Sequence, residues 1–124
     1  MSKTTPPRYD ALARQLAQRQ AQLHDEIAAK RAPDVLPATD VTDQKDQADA
    51  RNRGEVAAAE IERDLDELRQ IDAALRRIDS GQYGVCIDCG ASIGAQRLAV
   101  QPAVARCTPC QTVAEERQAR ALQR

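Results

Sequence analysis

Apolar residues recur at helical spacing along two long stretches of the chain. In the first, from about Pro6 to Ala32, they are separated by three, four or seven positions: Tyr9, Leu12, Leu16, Leu23 and Ile27. In the second, which begins near Thr42 or Asp43, the separations are three or four: Ile61, Leu65, Leu68, Ile71, Leu75 and Ile78. Such stripes predict two amphipathic helices, the second with a coiled-coil-like seam.

A proline-marked segment separates the two stretches. Pro33 and Pro37 remove backbone donors and disfavour helix in the residues before them. Between residues 33 and 50 the chain carries five aspartates and a single lysine, so this segment is acidic. We expect the two helices to fold back as an antiparallel hairpin with the acidic loop at its far tip. Ser80 and Gly81 should end the second helix, with Gly81 in a left-handed conformation.

Composition favours an elongated helical protein over a globular one. The 124 residues contain no Phe, no Trp and two Tyr, and much of the 42% apolar content is alanine. A chain of this kind gains more stability from long helices and a bound structural metal than from a core of large side chains. Its net charge of -1 argues against a general DNA-coating role. We expect no direct sequence-specific DNA binding.

Nothing in the sequence indicates a membrane or secretory protein. No run of about 20 apolar residues exists, and the segment from Met1 to Pro7 has no apolar core of a signal peptide. We therefore expect a cytoplasmic protein. Thiols stay reduced in that compartment, so paired cysteines are interpreted as metal ligands before disulfides.

The four cysteines form two CxxC pairs. Cys86 and Cys89 are followed, after seventeen residues, by Cys107 and Cys110. This spacing is a four-cysteine zinc pattern, and four protein ligands leave no open position for a catalytic water. We predict one structural Zn²⁺, with a backbone N–H turned toward sulfur where Gly90 follows the second cysteine, and with the helix dipole favouring the Cys110 thiolate. The alternatives are a redox dithiol or unligated thiols.

The predicted fold is mainly α-helical and has two parts. Residues 1–81 form the N-terminal segment and the long hairpin, with the tip loop at about 33–50. Residues 82–124 form a small zinc-finger module and a C-terminal helix. Thr108 is the expected cap of that helix and Pro109 its first residue, and we expect the helix to pack on the base of the hairpin.

Two interpretations apply to the acidic tip. Asp43 and Asp46 are three residues apart, so they would project from one side of the first helical turn. They can be capping residues that satisfy free N–H groups. Alternatively, they form a carboxylate probe on a stiff rod that acts on a cation or basic surface of a partner. Composition does not separate the two.

One segment carries a specific family resemblance. It consists of Gly81-Gln82-Tyr83-Gly84-Val85-Cys86-Ile87-Asp88-Cys89-Gly90, then Ile93-Gly94, Arg97-Leu98, Pro102 and Cys107-Thr108-Pro109-Cys110, preceded by Ala74-Leu75-Arg76-Arg77-Ile78. From about Asp43 to Glu116 the chain resembles the DksA/TraR family of bacterial transcription regulators.

The resemblance implies a function as well as a fold. Family members of the DksA type bind RNA polymerase directly, without needing DNA contact. Their coiled coil enters the secondary channel, and an Asp-x-x-Asp-x-Ala tip acts near the catalytic centre and destabilises open promoter complexes. The corresponding residues here are Asp43, Asp46 and Ala48, which favours the probe interpretation. We expect a monomer whose partner is bacterial RNA polymerase.

The chain departs from the family pattern at the positions that serve the alarmone ppGpp. Where basic side chains would align, this sequence has Gln70, Gln101 and Gln111. A neutral amide does not supply charge-assisted hydrogen bonds to phosphate. We therefore expect weak or absent ppGpp dependence. Together with a shorter N-terminal part, this indicates a DksA-like paralogue.

Other polar residues have less specific interpretations. Arg76, Arg77 and Arg97 are candidate polymerase contacts, together with Arg106, Arg117 and Arg120. Equally, these arginines balance acidic residues on solvated helices. His24, the one histidine, is expected to be a surface residue. Tyr83 is expected to pack against the zinc module.

Three other functions compete with polymerase binding. One is a zinc ribbon that binds DNA or RNA, and another is a transcript-cleavage-type elongation factor that uses the same channel. The third is an enzyme. The sequence shows no nucleophile–base pair, open metal position or phosphate loop, so we expect no enzymatic activity.

Overall fold

Helices account for most of the structure, a computed structural model that describes residues 9–31 and 44–123. Helix α1 spans Asp10–Arg31, α2 Gln44–Ser80, α3 Ala95–Val100 and α4 Thr108–Leu122. Within these ranges the one β-type pairing is an isolated antiparallel bridge between Val85 and Ser92. The mainly α-helical class is therefore confirmed. Among the described helices, none is long and apolar enough to cross a membrane.

Helices α1 and α2 pack along their predicted apolar stripes. The buried residues of this interface are Leu16, Leu23 and Ile27 from α1, and Leu68, Ile71, Ala74 and Ile78 from α2. Leu23 and Ala74 are completely inaccessible to solvent. The alanine lies between two positions of the predicted seam, and its small side chain allows the helices to approach closely.

Polar contacts flank the apolar interface. Those between the two helices connect Arg19 to Glu67, Gln20 to Asp72, and Lys30 to Asp64, each with a donor–acceptor distance of 2.7 Å. Lys30, late in α1, pairs with Asp64, and Gln20, earlier in α1, pairs with the later residue Asp72, so the helices are antiparallel. These side chains are partly exposed, so each contact contributes modestly to stability, and together they define the register.

The helix boundaries lie close to the predicted ones. Helix α1 is described from Asp10, and its predicted start at Pro6 lies outside the described residues. Helix α2 is described from Gln44, next to its predicted start near Thr42 or Asp43. Residues 44–50, which the predicted tip loop at about 33–50 included, are therefore helical. The rest of that predicted loop, with the predicted caps Thr42 and Asp43, lies outside the described residues.

Helix α2 ends as the sequence predicts. Gly81 has a φ of 78°, which is the left-handed conformation expected after a helix. The Gln82 N–H donates to the Arg77 carbonyl at 2.8 Å, and the Gly81 N–H donates to the Ile78 carbonyl at 3.2 Å. These two bonds form a Schellman motif, which turns the chain from α2 into the cysteine-containing segment.

The cysteine-containing segment joins the base of the hairpin through a small extension of the core. Tyr83 and Leu98 are buried and belong to the same apolar cluster as the α1–α2 interface. Ile93 and Val104 are partly buried against that cluster. The position of the cysteines is therefore fixed relative to the hairpin by packing on both sides of the first CxxC pair.

The predicted packing of the C-terminal helix is wrong. Helix α4 has no buried residue, and Val113 and Leu122 are 45% and 80% exposed. Its apolar stripe consists mostly of alanine, so packing it against the hairpin would bury little area. The predicted cap is also displaced by one residue. Cys107 is the N-cap, and Thr108 is the first helical residue.

Candidate metal centre

The first CxxC pair lies in a tight turn that glycines make possible. The Cys86 N–H donates to the Ala91 carbonyl at 2.8 Å, and the Gly90 N–H donates to the Cys86 carbonyl at 3.0 Å. Gly90 has a φ of 77°, a conformation that other residues rarely adopt. The predicted contact of a backbone N–H with sulfur is made at this turn by Ala91, whose N–H donates to the Cys89 sulfur.

The second CxxC pair is placed by the start of α4. Cys107 is the N-cap and Cys110 lies in the first turn, where the Gln111 N–H donates to the Cys107 carbonyl at 2.9 Å. A backbone hydrogen bond of 3.0 Å from the Ile87 N–H to the Ala105 carbonyl joins this segment to the first turn. The two pairs therefore face each other.

The four cysteine sulfurs converge on one point. All four Sγ atoms lie within 4.8 Å of one another, and those of Cys89 and Cys107 are 3.7 Å apart. Four sulfurs placed tetrahedrally about 2.3 Å from a zinc ion would be roughly 3.8 Å from each other. The cluster therefore fits a zinc ion with little adjustment.

The close approach of the four sulfurs shifts the pKa values of the cysteines in opposite directions. Burial acts to raise the pKa of Cys86, but N–H donors of Cys107, Cys89 and Asp88 lower it to about 6. The sulfurs of Cys107 and Cys86 raise the pKa of Cys110 to about 12. A divalent cation removes the repulsion between neighbouring thiolates, because it stabilises all four in their deprotonated form.

The structure places the predicted tip residues only in part. Asp43 lies outside the described residues. Asp46 belongs to the first turn of α2, and its side chain is likewise outside the described part of the chain. Ala48 is exposed on α2. The assignment of these residues to a functional tip therefore stays a prediction.

The three candidate arginines differ in their surroundings. The Arg77 guanidinium group lies 3.5 and 3.4 Å from the carbonyl oxygens of Ala103 and Val104, and burial lowers its pKa. The Arg97 Nε donates to the Arg106 carbonyl at 3.2 Å. Arg76 is exposed. Two of the three therefore support internal backbone, and Arg76 is the best placed to contact a partner.

The three glutamines that depart from the family pattern line one cleft. Gln70, Gln101 and Gln111 lie around an open cavity of about 730 Å³, together with Arg77 and Arg106. This cavity separates α2 from α4. The Gln111 side-chain amide donates to the Glu115 carboxylate at 3.2 Å. Spacing along the sequence did not indicate that these three amides share one surface.

Sequence reasoning missed an ion pair beside the cysteines. The Arg106 Nε lies 2.7 Å from the Asp88 Oδ2. Asp88 lies within the first CxxC pair and Arg106 directly precedes the second. Because zinc would bring the two pairs together, opposite charges at these positions were a signal from which the contact could have been predicted.

Comparison with known proteins places the site in a family. Residues 81–116 match the model of the prokaryotic dksA/traR C4-type zinc finger, which includes all four cysteines. The cluster is accordingly the site of one structural zinc ion.

The similarity extends beyond the zinc finger, over about two thirds of the length of two relatives. The RNA polymerase-binding transcription factor DksA of Haemophilus influenzae is 31% identical over 99 residues, covering 77% of this chain and 68% of that protein. The protein of the same name from Escherichia coli K12 is 27% identical over 97 residues, covering 78% of this chain and 64% of that protein.

The fold matches a solved structure of the same kind. The transcription factor DksA2 from Pseudomonas aeruginosa superimposes with a TM-score of 0.63 at 28% sequence identity. The match covers 90% of this chain and 82% of that protein.

Proposed function

Because this chain belongs to the DksA/TraR family, we propose that it binds bacterial RNA polymerase directly and regulates transcription without being an enzyme itself. Support comes from relatives named RNA polymerase-binding transcription factors, which match over most of this chain. The site also supports a protein that is not an enzyme, because four cysteines around one zinc ion leave no open coordination position for a catalytic water or a substrate. The protein acts as a monomer in the cytoplasm, without sequence-specific DNA contact.

A single structural observation carries the mechanism. Helix α2 is continuous from Gln44 to Ser80, and its last four turns are held by the core and the zinc module. Its contacts with α1 include Lys30 to Glu60, and from Glu60 to Gln44 the helix extends for about 24 Å. A narrow, stiff projection of this kind suits entry into the secondary channel of the polymerase.

With α2 as the inserting helix, the proposal gives the two parts of the chain different roles. Residues 1–81 form the inserting hairpin, and residues 82–124 form the base that stays outside the channel. Asp43, Asp46 and Ala48 at the tip act near the polymerase active site and change the stability of open promoter complexes. Arg76 is proposed to contact an acidic surface of the polymerase. Arg77 and Arg97 are candidates for the same role by sequence, but their carbonyl contacts favour a supporting one.

The same proposal includes weak or absent dependence on ppGpp. The three glutamines face one cleft, so a phosphate bound there would meet neutral amides at Gln70, Gln101 and Gln111. The guanidinium groups that line the cleft all have partners within the chain, and that of Arg69 pairs with Asp66 on α2. Arg77 faces backbone carbonyls and Arg106 pairs with Asp88. The cleft therefore offers a polyphosphate little free positive charge.

The test is transcription from a ribosomal RNA promoter with purified bacterial polymerase, with and without ppGpp. The wild type is compared with the double variant Asp43→Asn/Asp46→Asn. A matched control is Asp49→Asn, which neutralises an exposed carboxylate on α2. We expect the wild type and the control to change transcript yield, while the double variant binds polymerase without this effect.

Four results would contradict the proposal or part of it. A wild-type chain that neither binds polymerase nor changes transcript yield overturns the function. Equal activity of the double variant overturns the tip mechanism alone. Stimulated transcript cleavage would favour an elongation factor of the cleavage type, and salt-sensitive binding to bare duplex would favour a nucleic-acid-binding zinc ribbon.

A further inference from the structure

Three polar side chains connect the two halves of the zinc site without providing a ligand. The Arg106 Nε contacts the Asp88 Oδ2 at 2.7 Å, and the Arg97 Nε donates to the Arg106 carbonyl at 3.2 Å. Asp88 belongs to the first cysteine turn, Arg106 to the segment before Cys107, and Arg97 to α3. We infer that these residues form a clamp that holds the two CxxC pairs together and slows the release of zinc.

The positions of the clamp residues support this role. Asp88 lies between Cys86 and Cys89, and Arg106 is the neighbour of Cys107. Movement of either side chain is therefore transmitted directly to a ligand. The Asp88 backbone N–H also contributes a hydrogen bond to the Cys86 sulfur, so the backbone at Asp88 orients a ligand while its carboxylate contacts the opposite segment.

The ion pair reinforces the backbone contacts between the two segments. The Ile87 N–H donates to the Ala105 carbonyl, and the Cys107 N–H contacts the Cys86 sulfur. Asp88 and Arg106 are the next residues after Ile87 and Ala105. A side-chain link beside these backbone contacts further resists separation and rotation of the segments.

Release of zinc requires the two pairs of sulfurs to separate. When one thiolate leaves the ion, a closed clamp keeps that thiolate close, so that it binds again before the next one leaves. This is an effective-concentration argument, and it acts on the dissociation rate more than on the folded structure. Mutation of residues that support metal ligands typically lowers metal affinity by about 10- to 100-fold. The side chains of Arg106 and Asp88 are 32% and 47% exposed, so solvent screening weakens the pair.

The clamp is tested by the rate at which the zinc-loaded full chain transfers its metal to a chromogenic chelator. The variants are Asp88→Asn, Arg106→Gln and their combination. We expect each single variant to release zinc about five- to tenfold faster than the wild type, and the double variant no faster than the singles. Arg97→Gln should have a smaller effect, because Arg97 acts through the Arg106 backbone.

Two comparisons separate the clamp from a general effect of charge. Lys30 and Asp64 form an ion pair between α1 and α2, and Asp64 precedes the end of α2 at Ser80 by about 24 Å of helix. Asp64→Asn is therefore a control that removes an ion pair far from the cysteines and should release zinc at the wild-type rate. Salt provides the second comparison. Raising the ionic strength should accelerate release from the wild type and leave release from the double variant nearly unchanged, because only the wild type has an ion pair to screen.

The wild-type salt series needs no variant to fold, so the inference remains testable if a substitution prevents zinc loading. A release rate of the wild type that does not respond to salt overturns the inference. Wild-type release rates in both Asp88→Asn and Arg106→Gln overturn it as well, and so does equal acceleration by Asp64→Asn.

Discussion

The Tyr83 hydroxyl donates a 2.7 Å hydrogen bond to the carbonyl of Pro102, which lies 19 residues further along the chain. The Tyr83 ring also meets the Tyr9 ring edge-on, with centroids 4.8 Å apart and an interplanar angle of 74°. Tyr83 lies in the turn before the first cysteine pair. From there it contacts the residue that precedes α1 and the loop that follows α3. It is the point at which the hairpin and the zinc module meet.

Replacing Tyr83 with Phe should therefore loosen this junction. The substitution keeps the ring and leaves the Pro102 carbonyl without its donor, so we expect the free energy of unfolding to fall by about 1–2 kcal/mol. Urea unfolding of the zinc-loaded protein measures the change. Tyr83→Leu also removes the ring contact and should lower the stability further. Equal stability of Tyr83→Phe and the wild type would show that the hydrogen bond is dispensable.

The same burial predicts an unusual ionisation. Burial raises the pKa of Tyr83 to about 12, whereas tyrosine in an unfolded chain ionises near pH 10. The folded state therefore retains this proton longer, and its stability should decrease as the pH rises from about 10 toward the folded pKa. Tyrosinate absorbance of a Tyr9→Phe variant follows Tyr83 alone. Ionisation near pH 10 in the folded variant would contradict the assignment.

Two glycines should respond to alanine in opposite directions. Gly84 has a φ of 85°, and a Cβ atom there would lie 2.6 Å from the Tyr9 hydroxyl oxygen. Gly84→Ala should lower the free energy of unfolding by at least about 1–2 kcal/mol. Gly54 lies within α2, and an added methyl group there would meet no atom within 4 Å, so Gly54→Ala should raise it by about 0.5–1 kcal/mol. Thermal unfolding of both variants checks the pair.

The contact between Arg19 and Glu67 predicts a dependence on acid. Hydrogen bonding to Arg19 lowers the pKa of Glu67. The contact therefore contributes stability above the unfolded value of about 4.3, and this contribution is lost as the pH falls through the lowered pKa. Glu67→Gln should reduce the melting temperature at neutral pH, with a smaller effect under acid conditions. Glu62→Gln, at an exposed position of α2, is the control.

Removal of zinc should affect the two parts of the chain differently. Three of the four cysteines lie outside helices, and α4, which carries the fourth, buries no residue, so we expect the chelated module to lose its structure. The α1–α2 interface buries its own apolar residues and should keep most of its helical signal. Thiol alkylation, with and without a chelator, measures exposure of the cysteines in the zinc module. Circular dichroism measures the helix that remains in the hairpin. Complete loss of helix on chelation would show that the hairpin depends on the metal.

The sequence predicted the parts of the fold that repeat or have a fixed spacing. The apolar period revealed both hairpin helices, and the CxxC pairs revealed the cysteine cluster. The sequence did not predict features that depend on weak or long-range packing. Helix α4 has an apolar stripe too small to require burial. The carbonyl contacts of Arg77 and Arg97 depend on how the loop after α3 folds over α2, which no local pattern encodes.

The register of the hairpin has a consequence for evolution by insertion. The contacts of Arg19, Gln20 and Lys30 match each residue of α1 to a fixed partner on α2. Seven residues added to both helices between the contacts and the loop would preserve every pairing and lengthen the rod by about 10 Å. Seven residues added within one helix alone would misalign the pairings beyond the insertion. Family members of different reach should therefore differ by paired insertions, with the count of residues serving as a molecular ruler.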